Sequence, residues 1–162
     1  MARILHMADL HLDGAFVGEN GKDRARARRE AQRALLREIV ALGNREAVDL
    51  LLIAGDLVDG ESLYGETKDA LAEILGKSHA RIFIAPGNHD PVGACYSQMR
   101  LPENVHLFRQ QAVVPLELPA LNCVVWGAGF ATPACETPLL EGVFAPEDGR
   151  CHILLLHGEV TE

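Results

Sequence analysis

Four short stretches of this 162-residue chain carry side chains able to hold a cation or move a proton. "ADLHLDG" supplies Asp9 and His11, and "AGDLVDG" supplies Asp56 and Asp59. "PGNHDP" supplies Asn88, His89 and Asp90, and "LLLHGEV" supplies His157. Carboxylates, a carboxamide and imidazoles without a thiolate suit manganese, iron(II) or zinc better than copper(I) or an iron–sulfur cluster. The set is large enough for two divalent ions, and a pair roughly 3.5–4 Å apart is the arrangement used for displacement at phosphorus. Two such ions neutralise phosphoryl oxygens and activate water, and a carboxylate between them lowers their mutual repulsion. Asp56 suits that bridging position, because it follows the central one of the first three strands. Asp9 and His11, two residues apart in extended backbone, are expected to point the same way. Any one of these stretches reads as a turn after a strand; histidines at three of the four ends do not.

The elements that position these groups are visible as apolar runs. "RILHMA", "VDLLLIA" and "RIFIAP" read as strands, the second as one buried on both faces. Between them, residues 24–43 place Leu35, Leu36, Ile39, Val40 and Leu42 on a helical period ending at Gly43, and "ETKDALAEILGKS" gives a second helix. "AVVPLEL", "LNCVVWGAG" and "CHILLLHG" read as later strands, Pro115 marking an edge. Strands alternating with helices predict an α/β fold with a largely parallel sheet, and the later strands predict a second, more mixed sheet. In such sheets ligands gather beyond the carboxyl ends of the strands, where all four polar stretches fall. No repeat or linker divides the chain, so residues 1–162 are read as one domain.

Composition fits this picture. Hydrophobic residues make up 48% and aromatics only 5%, so the core must be aliphatic. No apolar run approaches the ~20 residues that span a bilayer, and the N-terminus lacks a signal-peptide pattern. A cytoplasmic protein with no membrane association is expected. Cys95, Cys123, Cys135 and Cys151 form no C-x-x-C pair and are expected to be reduced, structural residues, most of them among apolar neighbours. His6 is expected to pack structurally, His106 to lie at the surface and Trp126 to lie in the core.

"DLH", "GDLVD", "GNHD" and "HGE", in this order, resemble the calcineurin-like metallophosphoesterase family, whose blocks are D-x-H, G-D-x-x-D, G-N-H-D/E, a single H and G-H-x-H. "ILHMADLHLDGAF" is most similar to the SbcD-like DNA repair exonuclease branch. The resemblance implies a sandwich of two mixed β-sheets flanked by helices, here C-terminally shortened. It also implies that Asp9 and His11 bind a first metal, Asp56 bridges, and Asn88 and His157 serve the second. His89 then faces the phosphate as an acid or electrostatic partner. Being adjacent to Asn88, it could not face the same ion from extended backbone. Asp90 is expected to orient the His89 imidazole, and Asp59 to support the ligands from behind them. Two divalent ions, manganese first with iron or zinc as alternatives, are the implied cofactors. DNA or another phosphodiester is the implied substrate; a homodimer and a coiled-coil ATPase are the implied partners.

One block departs from the family pattern: after His157 only "GEVTE" remains, with no G-H-x-H. Weak or absent hydrolysis by this polypeptide is therefore expected. Two other readings stand beside a nuclease: a phosphatase of nucleotides or phosphoproteins, and a non-catalytic fragment with a partner-binding role. Charge bears on the first choice. The net charge is -8, yet Lys22, Arg24, Arg26, Arg28, Arg29, Arg33 and Arg37 outnumber Asp23, Glu30 and Glu38 by four. The rest of the chain thus carries -12, and the basic segment is either a phosphate-binding surface or a solvated helix face with Glu–Arg pairs.

Overall fold

The computed structural model describes residues 2–14, 21–60, 63–97, 99–136 and 138–159. Its elements are β1 (Ile4–Met7), α1 (Lys22–Arg45), β2 (Leu50–Ala54), α2 (Gly65–Gly76), β3 (Arg81–Ala85), β4 (Val105–Leu107), β5 (Val114–Leu118), β6 (Cys123–Gly127) and β7 (Cys151–Leu155). A single π-helical turn covers Val92–Tyr96, and a 3-10 turn, Pro119–Leu121, precedes β6.

Strands β1 to β4 lie side by side in sequence order, every pair parallel. The second sheet runs β5-β6-β7, antiparallel between β5 and β6 and parallel between β6 and β7. The expected α/β architecture with two sheets is therefore present, the first sheet being wholly parallel rather than mixed. Pro115 does lie on an edge strand, β5.

Alternation along β2 and β3 explains the layering. Leu51, Ile53, Ile82 and Ile84 point to one face, where they pack with Leu36 and Val40 of α1 and Leu71, Ile74 and Leu75 of α2. Leu50, Leu52, Phe83 and Ala85 point to the other, against Phe108, Leu118, Cys123, Val125 and Leu155. The result is helices, parallel sheet, second sheet. A strand covered on both faces must be apolar at every position, which is why "LLLIA" shows no alternation. Gly43 lets α1 approach the sheet: a Cβ there would meet Val48 at 3.2 Å.

Several local expectations change. β4 falls in "NVHLF", a stretch too short for its period to register. His106 is not a surface residue: it is half-buried, with Phe108 edge-on at 4.8 Å and Phe83 at 5.7 Å. Burial and the Arg81 and Arg109 charges depress its pKa. His6 is exposed on β1 rather than packed. Trp126 is only partly buried; its indole N–H donates to His152 Nδ1 at 2.9 Å. Of the four cysteines, Cys95 and Cys123 are buried, Cys135 is half-buried and Cys151 is exposed.

Phe83 is fully buried where the two sheets meet, stacked 6.2 Å from Phe108. Phe83→Ala leaves a cavity there and is expected to cost about 3–5 kcal/mol, measured as a lower urea midpoint at unchanged m-value.

Candidate active site

The polar stretches follow strands β1, β2, β3 and β7, so the two sheets jointly supply the site. Several of these side chains do not leave an extended backbone. Asp9, His11 and Asp13 have φ of 56°, 46° and 67°, and Asp56 follows suit at 52°. Left-handed conformations are costly for residues with a Cβ, and their clustering here marks backbone bent to aim side chains. Neighbouring loops sustain the bend. Asp9 N donates to Gly55 O at 3.2 Å, His11 N to Asp56 O at 2.9 Å and Leu12 N to Leu57 O at 3.0 Å. The loop after β1 is thus laid ladder-like on the loop after β2.

Asp56 occupies the centre. Its side chain is almost wholly buried; Oδ1 accepts the backbone N–H of His89 at 3.0 Å. Oδ2 lies 3.8 Å from His11 Nε2 and 3.5 Å from His157 Nε2. A single carboxylate oxygen between two imidazole nitrogens is the placement a bridging ligand needs. On one side, Asp9, His11 and Asp56 bring ligand atoms within 4.8 Å of one another.

On the other side stand Asn88 and His157. His157 Nδ1 lies 3.0 Å from the Ala54 carbonyl. A carbonyl only accepts, so Nδ1 carries a proton and Nε2 is the ring atom left to face the site. Nε2 lies 3.0 Å from Asn88 Oδ1 and 3.5 Å from Asp56 Oδ2. An imidazole nitrogen, a carboxamide oxygen and a carboxylate oxygen thus face one another, a donor set that suits a divalent cation. By this test the residues fit a divalent metal. Glycine is required on both flanks: a Cβ at Gly55 would strike the His157 ring, and one at Gly87 would strike Asp56 Oδ1.

The expected partner of His89 is corrected. Asp90 does not orient it. The Asp90 carboxylate is fully buried and accepts Asp56 N at 3.1 Å, Gly87 N at 2.6 Å, Leu57 N at 2.9 Å and the Tyr96 hydroxyl at 2.7 Å. Burial pushes its pKa up, while those four bonds favour the anion. Asp90 fastens the loops together and has no contact with the imidazole's nitrogens among these bonds. Asp59 takes the role instead: its Oδ1 lies 2.9 Å from His89 Nδ1, and its Oδ2 lies 3.5 Å from His11 Nδ1. One carboxylate therefore faces both Nδ1 atoms, directing His11 Nε2 toward Asp9 and Asp56. The two rings meet edge to face at 4.8 Å.

The hydrogen bond to Asp59 raises the His89 pKa above its ordinary 6.5, against a smaller opposing effect of burial. Its side chain is 45% exposed, open to a substrate. Asp13 is engaged elsewhere, accepting Tyr64 N at 3.0 Å and the Thr67 hydroxyl at 2.8 Å. Glu159 is exposed. His152 lies between Trp126 and Asp148, 2.9 Å from each, and belongs to the second sheet's surface. Sequence spacing gave no sign of Gln32, whose amide nitrogen reaches His11 O at 2.7 Å from the middle of α1.

These contacts set two expectations. In metal-free protein followed by NMR, Asp59→Asn lowers the His89 titration midpoint toward 6.5; an unmoved midpoint would refute the pairing. The linked stability has a definite sign: it is present below the unfolded pKa and lost as pH rises through the raised folded value. Asp90→Asn moves that midpoint less, since Asp90 acts on His89 only through space. It instead destabilises the fold by about 1–3 kcal/mol, because buried donors lose an acceptor. Urea unfolding at neutral pH measures it.

Comparison with known proteins agrees with this geometry. The calcineurin-like phosphoesterase family profile matches residues 2–161. The uncharacterized metallophosphoesterase YhaO of Bacillus subtilis (strain 168) is 29% identical, over 97% of this chain and 40% of its own length. The SbcD component of the SbcCD nuclease of Rhodobacter capsulatus is 36% identical, over 64% of this chain and 24% of its own length. The chain thus spans well under half of either relative. Membership supports a hydrolase acting on phosphoester bonds, and divalent metals are typical of the family. With its profile matched over nearly every residue and its polar side chains gathered at the strand ends, the chain belongs to the calcineurin-like phosphoesterase family.

Proposed function

We propose that this chain cleaves phosphodiester bonds in DNA as a nuclease-type member of its family, with two divalent ions, manganese first. Asp9 and His11 would hold one ion and Asn88 and His157 the other, with Asp56 shared between them. When bound, the ions supply positive charge for the phosphoryl oxygens and activate a water. His89, held by Asp59 and favoured as the imidazolium, sets a proton and a positive charge beside the leaving oxygen. Gly55 and Gly87 keep His157 and Asp56 in place by admitting them where a side chain would intrude.

The observation that favours nucleic acid over a small phosphoester is the position of α1. Its Gln32 touches the carbonyl of the ligand His11, so the helix borders the site. Its N-terminal half exposes Arg24 and Arg26, while Arg29 lies 4.5 Å over the ring of Tyr64, itself 55% exposed. Glu30 engages Arg33 and Arg37, further along. In a protein of net charge -8, an arginine-bearing edge beside the ligands suits a polyanion. Likeness to a nuclease component supports the same reading; a homodimer and a coiled-coil ATPase partner belong to the proposal through the family resemblance of the sequence motifs.

The test compares two substrates in manganese. Replacing Arg24 and Arg26 together with alanine is expected to lower DNA cleavage about tenfold or more, phosphate contacts being additive in binding free energy. Turnover of an aryl phosphodiester should hold steady. Equal DNA cleavage by the variant would favour the phosphatase, and failure to bind any transition metal, even after manganese soaking, would sink the hydrolase reading in favour of a non-catalytic fragment.

A further inference from the structure

We infer that Gln32 is a positioning residue for the metal ligands Asp9 and His11; the inference rests on the metal-centre reading above. The loop carrying those ligands alternates left-handed residues at Asp9, His11 and Asp13, each with a Cβ. A strained conformation of this kind persists only where its surroundings over-determine it. Its amides are satisfied by the loop after β2, through Asp9, His11 and Leu12. The carbonyls of Leu10 and His11 are met from α1. Gln32 Nε2 donates to both, at 3.3 Å and 2.7 Å. One amide group thus gathers two successive carbonyls and fixes the turn from its outer side.

The choice of residue indicates that the donor matters. Among the described residues, Gln32 Oε1 is buried and has no hydrogen-bond partner. A side chain present only to fill space would not carry an orphaned oxygen into the interior. The amide is retained for its nitrogen, which no apolar residue supplies. The next residue on α1 holds the loop's far end by a separate route. Arg33 Nη1 donates to the Thr67 hydroxyl at 3.2 Å, and that hydroxyl donates to Asp13 at 2.8 Å. Asp13 also accepts the Tyr64 amide at the start of α2. The ligand loop is therefore clamped by α1 near His11 and by α2 at Asp13, with Gln32 the contact next to the ligands themselves.

Gln32→Met keeps length and helix propensity and removes the donor. Two measurements on the whole chain test it. By hydrogen–deuterium exchange in metal-free protein, residues 9–14 are expected to exchange faster in the variant, with the peptides of β2 and β3 unchanged. By calorimetric titration, manganese is expected to bind about tenfold more weakly, the usual scale for a group that orients a ligand. Gln32→Lys, which restores a donor of similar reach, should recover most of the protection. Wild-type exchange and wild-type manganese affinity in Gln32→Met would overturn the inference. So would an increase spread evenly over the whole fold, the mark of a merely structural residue. Asp56→Asn separates the two readings. If it abolishes manganese binding while Gln32→Met does not weaken it, only the role of Gln32 fails. If wild type binds no manganese, the metal-centre reading fails, and this inference with it.

Discussion

A buried carboxylate must be surrounded by donors, and around Asp90 this requirement organises the site. Its two oxygens take three backbone amides and a tyrosine hydroxyl, from the loop after β2, the loop after β3 and the π-helical turn. None of those segments can drift without stranding an anion away from water, where an unpaired charge costs several kcal/mol. Asp56 inherits its position from this arrangement, because its own amide is one of the four donors. From Asp56 the order spreads outward: its carbonyl holds His11 N, and its carboxylate holds His89 N. The carboxylate that touches none of the imidazoles in these bonds is thus the one that sets their frame.

Charge placement then separates tasks among similar side chains. Three histidines and three aspartates, Asp9, Asp56 and Asp59, lie within a few ångströms, yet each imidazole is directed by what its Nδ1 meets. Ala54 O fixes the His157 tautomer, and Asp59 faces the Nδ1 of both His11 and His89. His157 and His11 are left with Nε2 toward Asp56, while His89 is turned elsewhere and kept more basic. Backbone conformation contributes as much as side-chain chemistry. Positive φ at Asp9 and His11 turns them by a route that strand alternation does not offer.

The architecture was largely legible in the residues. Apolar runs of five or more, with long amphipathic helices between, gave the strands and helices nearly to their ends, since burial of a whole face leaves a strong periodic trace. β4 left none, with only three residues and His106 among them. At the site, the places of the polar residues after the strands were readable, because the C-terminal ends of neighbouring parallel strands lie along one edge of the sheet. Which carboxylate serves His89 was not. Asp90 is its sequence neighbour, and only the fold brings Asp59 from 30 residues away. Gln32 was invisible for the same reason: a lone amide in a helix acquires meaning only from the carbonyls it meets.

His157 comes from the end of β7, and the groups around it come from β2 and β3, so the second sheet donates one side chain to a centre otherwise built on the first. A cation shared among Asp56, Asn88 and His157 would then act as a tie between layers. Its binding free energy would accrue only to the docked arrangement, and mass action would convert ion concentration into inter-sheet cohesion. At a free concentration a hundred times its dissociation constant, that coupling amounts to about 2.7 kcal/mol.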